Sequence, residues 1–130
     1  MRARAVLSIV AVAAVCGAML LSGSAAGVTK AATTVTIKAQ NGDFSGTISS
    51  PRPKRCANNR TVKVYHQKGK DQNLKVDTVI GSDISSLNGD HYEWSTGNSG
   101  APNGKYYARA VATANCKADS SPTVKNVRNP

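Results

Sequence analysis

The 130-residue sequence predicts an all-β sandwich of about seven strands. Three observations predict it. Short apolar runs with period-two alternation recur roughly every 8 to 15 residues beyond the N-terminal segment. Gly-, Asn- and Pro-bearing turn signals separate them, and no helix-period run occurs after that segment. Two cysteines, Cys56 and Cys116, remain outside it and can staple distant parts of a small domain.

The N-terminal segment is read apart from the fold. Arg2 and Arg4 precede the apolar run Ala5 to Leu21, which is followed by Ser22-Gly23-Ser24-Ala25-Ala26-Gly27. A basic start, an apolar centre and small residues at Ser24 and Ala26 predict a helical signal peptide over residues 1–26, cleaved after Ala26. Cleavage after Ala32 is the nearby alternative. As an uncleaved anchor the run falls short of the about 20 apolar residues a span requires. Cys16 has Ala13-Ala14-Val15 before it instead of a lipobox, so it is discarded with the signal. The expected location is therefore secreted, extracellular or in the cell envelope.

The remaining chain of roughly 100 residues has the size of one domain. In an oxidising compartment the default is a Cys56–Cys116 bond. It closes a loop of about 60 residues and contributes about 4 kcal/mol by the chain-entropy model. Without Arg2 and Arg4, 15 basic and 7 acidic side chains leave a net charge of +8. That balance favours anionic partners, and after export these are wall polymers, acidic glycans or lipid headgroups more readily than nucleic acid.

Residues 27–32 read as a flexible leader to a domain over residues 33–130. Thr33 to Gln40 alternates with Val35, Ile37 and Ala39 on one face. Asn41-Gly42 turns the chain into Asp43 to Ser49, with Phe44 and Ile48 inward. Gly46 between them marks a bulge or a close backbone approach beneath a large ring. Ser50 to Asn59 is a polar loop in which Pro51 and Pro53 exclude a central strand. Arg60 to Gln67 is a third strand, Val62 and Val64 inward. After the loop Lys68 to Asn73, a fourth runs from Leu74 to Ile80 with Leu74, Val76, Thr78 and Ile80 on one face. Gly81 to Asn88 reads as irregular. Asn88-Gly89 leads into His91 to Ser95, with Trp94, the sole tryptophan, in the core. A Gly/Ser/Asn/Pro loop, Thr96 to Asn103, delivers the chain to Gly104 to Ala112, and a last strand covers Thr123 to Val127.

Phe44 to Ser50, Cys56, and Arg60 to Tyr65 together resemble the start of small exported bacterial β-sandwich proteins of the carboxypeptidase-regulatory-like or transthyretin-like group. Asn88-Gly89-Asp90, Tyr92 and Trp94 are similar to that group's D-x-x-G-x-[YW] hairpin, and Gly104 to Ala108 to its G-x-Y-Y-A strand. The resemblance spans Phe44 to Val127. It implies a single immunoglobulin-like or transthyretin-like Greek-key sandwich with one disulfide, acting as an accessory, adhesive or binding module without catalysis of its own.

For chemistry, no Gly-x-Ser-x-Gly elbow is present. His66 ends a strand and His91 borders a hairpin turn, where solvated or hydrogen-bonded histidines are usual. Asp90 and Glu93 share one hairpin and are expected to point apart, unlike the facing acids of a glycosidase. Asp43, Asp83 and Asp90 are isolated, so neither a metal site nor any cofactor is expected. A Lys38–Asn126 cross-link assisted by Glu93 would join the first and last strands, but alternation turns Lys38 to solvent.

The binding candidates are cationic and aromatic. Arg52, Lys54, Arg55 and Arg60 concentrate four charges on one loop and its exit, where charge-assisted hydrogen bonds can hold phosphates or uronic acids. The simpler alternative is a solvated loop. Tyr65 and Tyr107 are the candidate aromatic contacts for a sugar surface. The expected protein is a monomeric, non-catalytic, secreted or envelope-associated binding or structural module. Its partner is an anionic cell-wall polysaccharide or an unidentified protein. The reading from another class is a small secreted hydrolase, or a protein inhibitor of one.

Overall fold

The computed structural model describes residues 29–130; the expected signal peptide and its cleavage site lie outside them. Ten strands and one short helix follow in order: β1 Thr34–Val35, β2 Lys38–Gln40, β3 Asp43–Ser49, α1 Pro53–Cys56, β4 Thr61–Gln67, β5 Thr78–Ile84, β6 Ser86–Asn88, β7 His91–Asn98, β8 Gly104–Ala110, β9 Asp119–Ser120 and β10 Val124–Asn126. One antiparallel sheet has the order β1-β3-β7-β6, with β2 also on β3. The other has the order β10-β8-β4-β5, with β9 also on β8. Counting β1/β2, β5/β6 and β9/β10 each as one interrupted run gives the seven strands expected, in an immunoglobulin-like order.

The faces follow from pairing. Val62, Val64 and His66 of β4 lie opposite Ala110, Ala108 and Tyr106 of β8, and this row turns inward. Val35, Ile37, Phe44, Ile48 and Trp94 of the other sheet meet it, and all five side chains are buried. Phe44 and Tyr106 lock the sheets together with ring centroids 4.8 Å apart. The Tyr106 hydroxyl donates to Pro102 O at 2.8 Å, fixing the corner where the chain passes from β7 to β8.

Gly46 has the role expected of it. A Cβ there would lie 1.9 Å from Thr36 O and 2.9 Å from the Trp94 indole nitrogen. The first expected strand consequently breaks into β1 and β2. Thr36 O crosses over Gly46 and accepts the Trp94 Nε1–H at 3.2 Å. Asn41 and Gly42 both have positive φ, as a tight hairpin turn requires.

Four expectations are corrected. Leu74 to Val76 is a turn, with Leu74 47% and Val76 56% exposed. Its apolar alternation mimics a strand, but local hydrogen bonds to the side chain and carbonyl of Asn73 win. Asn73 Oδ1 accepts the Lys75 N–H, and Asn73 O accepts those of Val76 and Asp77. Gly81 to Asn88 is regular, not irregular: β5 runs on to Ile84, crosses between the sheets at buried Ser85 and continues as β6. The Ser85 hydroxyl donates to Ala57 O and accepts the Arg60 N–H, which anchors the crossing. The loop after β3 contains one helical turn, α1, begun by Pro53, whose missing N–H is no loss at a helix start. Residues 31 and 32 of the expected flexible leader are tied in place: Ala31 pairs with Cys116, and Ala32 O accepts the Ser50 hydroxyl.

Loop 68–77 is organised by Asp77, only 8% exposed. Its carboxylate accepts the N–H groups of Lys68 (2.8 Å) and Asn73 (2.6 Å) and the Tyr107 hydroxyl (2.7 Å). Burial alone would raise the Asp77 pKa, but these bonds outweigh it and hold the group below its ordinary 3.8. A carboxylate depressed on folding stabilises above its unfolded pKa and loses that contribution as pH falls through the folded value. Stability should therefore decline below about pH 4, with Asp77 responsible for part of the acid limb. Denaturant titrations at stepped pH should show a flatter acid limb in Asp77→Asn.

Candidate functional site

The candidate site is the end of the sandwich closed by the disulfide. Cys56, at the close of α1, is bonded to Cys116 in the loop after β8, with Cα atoms 5.5 Å apart. Both cysteines are buried. The α1 turn is held by Arg52 O, which accepts the N–H groups of Arg55 and Cys56, and by Pro53 O, which accepts that of Ala57. Burying Cys56 on this turn leaves Arg52, Lys54 and Arg55 exposed.

Two further cations arrive from other segments. Lys117 follows Cys116 directly, and Lys30 precedes Ala31, which is hydrogen-bonded to Asn115 O and to the Lys117 N–H. Lys30 and Lys117 are exposed as well. Five cations therefore surround one disulfide, two of them invisible to a reading of the loop alone. Among the described residues the only ion pairs are those of His91, so none of the five is neutralised by a carboxylate. Asp119, the acid nearest to them in sequence, accepts the Val35 N–H at 2.9 Å and so serves the fold.

Arg60 does not join this exposed set. It is 1% exposed, and its guanidinium is directed inward beneath the disulfide loops. Nη1 donates to Thr33 Oγ1 (3.0 Å) and Cys56 O (2.7 Å), and Nη2 donates to Val111 O (2.7 Å) and Lys117 O (3.1 Å). Nε is buried without a partner. Burial lowers its pKa, although an arginine remains charged at any ordinary pH. Arg60 is thus a hub for three segments that sequence spacing placed in a ligand-binding cluster. Its position at a strand entrance carried no signal of burial.

The aromatic candidates occupy the outer face of the second sheet. Tyr65 stacks on Tyr107 with centroids 5.2 Å apart and planes inclined by 7°. Tyr65 is half-buried, but Tyr107 is fully buried beneath loop 68–77 and bonded to Asp77. Burial and that bond raise the Tyr107 pKa. Tyr107 is therefore a structural residue, and Tyr65 alone keeps exposed area.

Among the described residues neither histidine is hydrogen-bonded to a serine. His66 stacks on Tyr106 with centroids 4.7 Å apart. Burial, then Lys68, lowers its pKa. His91 corrects an expectation: Asp90 and Glu93 converge on it instead of pointing apart. Asp90 Oδ1 lies 2.9 Å from Nδ1, and Glu93 Oε1 2.6 Å from Nε2. Hydrogen bonds to Asp90 and then Glu93 raise the His91 pKa. Among the described residues no group of three or more His, Cys, Asp or Glu side chains is arranged to hold a metal ion.

The Lys38–Asn126 cross-link has no basis in the geometry. Asn126 is buried, and its amide accepts the Gly42 N–H at 2.9 Å and donates to Ala101 O and Pro102 O. Lys38 lies across from Ser45 on the exposed face.

Fold and site together define a small disulfide-closed β-sandwich with a cationic end. No protein-family model matches the chain, and no curated protein matches it.

Proposed function

We propose that this chain is a non-catalytic, exported binding module that engages an anionic cell-surface polymer through its disulfide-closed end. The observation that carries the reading is the set of five exposed cations, Lys30, Arg52, Lys54, Arg55 and Lys117, which form no ion pair among the described residues and sit on segments joined by one disulfide. A rigid frame beneath long basic side chains suits repeated acidic groups, because the loops need no ordering when the polymer arrives. Export is supported by the signal-like N-terminal sequence and by the disulfide, which persists in oxidising compartments. No helix among the described residues is long and apolar enough to cross a membrane.

Co-sedimentation of the oxidised protein with purified anionic wall polymer tests the reading. Binding should weaken steeply with salt, because exposed charges are screened within about 8 Å at physiological ionic strength. The triple change Arg52→Gln, Lys54→Gln and Arg55→Gln should reduce affinity about tenfold and flatten the salt dependence. Binding that ignores both salt and these changes would overturn the assignment to this end.

A further inference from the structure

The outer face of the first sheet carries a hollow of about 340 Å³. Two cross-strand rows build it. In the first, Lys38 of β2 lies opposite Ser45 of β3, and Ser45 opposite Ser95 of β7. Asp83 closes that row, its Oδ2 accepting the Ser95 N–H at 2.7 Å. In the second, Thr47 of β3 lies opposite Glu93 of β7, and Glu93 opposite Ser86 of β6. Short hydroxyl side chains form the floor, and the longer Lys38 and Glu93 stand above it.

The polar groups here are mostly unspent. Lys38 Nζ, Ser45 Oγ, Ser86 Oγ and Asp83 Oδ1 make no hydrogen bond or ion pair among the described residues. Glu93 is held charged by bonds from Asn88 Nδ2 (2.7 Å) and His91 Nε2 (2.6 Å), which keep its pKa below the ordinary value. The hollow therefore has one free cation at one end, two carboxylates toward the other, and hydroxyls between. Its volume lies at the lower end of the ~300–1,000 Å³ typical of small-ligand sites.

This distribution selects a ligand class. One anionic group satisfies Lys38, and donors are accepted by the free Asp83 Oδ1 and by the remaining lone pairs of Glu93. A neutral sugar leaves Lys38 unpaired, and a polyphosphate is repelled by the two carboxylates. We propose that the hollow binds a uronic acid unit of a glycan. Its carboxylate pairs with Lys38 Nζ, and its ring hydroxyls donate to Asp83 and Glu93 and accept from Ser45 and Ser86. This assignment is independent of the cationic end, which shares none of these residues.

Titration of the ¹⁵N-labelled, oxidised protein with methyl glucuronide, beside methyl glucoside and glycine, tests it. Saturable shifts are expected at the amides of Ser45, Thr47, Glu93 and Ser95 with the glucuronide, and weaker ones with the two controls. Lys38→Gln should weaken binding about fivefold, the scale of one exposed ion pair. Ser45→Val, which fills the floor and removes a donor, should abolish saturation. The Arg52/Lys54/Arg55 triple variant should bind the glucuronide as the parent does, so failure at one site is distinguishable from failure at the other. Absence of saturable shifts, shifts confined to residues 52–55, or equal affinity for either control would each overturn the proposal.

Discussion

Replacing Cys56 and Cys116 together by alanine is expected to lower the unfolding free energy by about 4 kcal/mol, as the chain-entropy model gives for a loop of this length. For a domain of roughly 100 residues that corresponds to a fall in Tm of roughly 15–30 °C. The bond joins the turn after β3 to the loop after β8 at one end of the sandwich and does not cross the core. Its loss should therefore leave the packing of Phe44, Trp94 and Tyr106 native-like at low temperature while loosening the loops. Differential scanning calorimetry of the double variant, with near-ultraviolet dichroism reporting on Trp94, checks both parts. Loss of polymer binding before loss of the aromatic signal is the expected order on reduction. A stability change below about 1 kcal/mol would mean that the unfolded chain is already confined without the bond.

Arg60→Met is expected to cost about 3 kcal/mol. Four oxygens, from Thr33, Cys56, Val111 and Lys117, lose their donors, and each buried acceptor left unpaired costs about 1–3 kcal/mol. Two effects oppose this: the buried charge disappears along with its desolvation cost, and the partnerless Nε goes with it. Arg60→Lys should also destabilise, because one ammonium cannot span two pairs of acceptors that a planar fork reaches. Urea denaturation of both variants measures the balance. If Arg60→Met proves as stable as the parent, burial of the guanidinium cancels its bonds and the hub serves geometry alone. Amide exchange at residues 113–117 separates the cases, since a structural hub predicts faster exchange there in either variant.

These two changes act on the frame beneath the cations, whereas the glutamine substitutions at Arg52, Lys54 and Arg55 act on the charges themselves. A binding defect in Arg60→Met without a change at the exposed residues would show that the frame's rigidity contributes to affinity.

Much of the architecture was determined by the sequence itself. The alternation at Val35–Ala39 and Val62–Val64, the Asn41-Gly42 turn, the Trp94 core position and the Cys56–Cys116 pairing all follow from local rules of period, turn chemistry and compartment. Gly46 was legible too, because a glycine between two inward residues implies an approach that no side chain allows. Other features depended on which groups meet in three dimensions. Leu74 to Val76 alternates like a strand, yet Asn73 offers the Lys75 and Val76 N–H groups partners in a turn, and Asp77 holds Asn73 in place. Arg60 looks like one more surface cation until Thr33, Val111 and Lys117, distant in sequence, are brought around it. Tyr107 alternates outward, but loop 68–77 folds over it and supplies Asp77. Lys30 joins the cationic end only through the pairing of Ala31 with Cys116, whereas Lys117 is carried there by the disulfide itself. Likewise, Lys38, Ser45, Ser95 and Asp83 form one row only because β2, β3 and β7 align in that register, with β5 at its end. Local sequence states each residue's facing and turn preference. Burial and charge pairing are decided by non-local partners, and these exist only once the two sheets close.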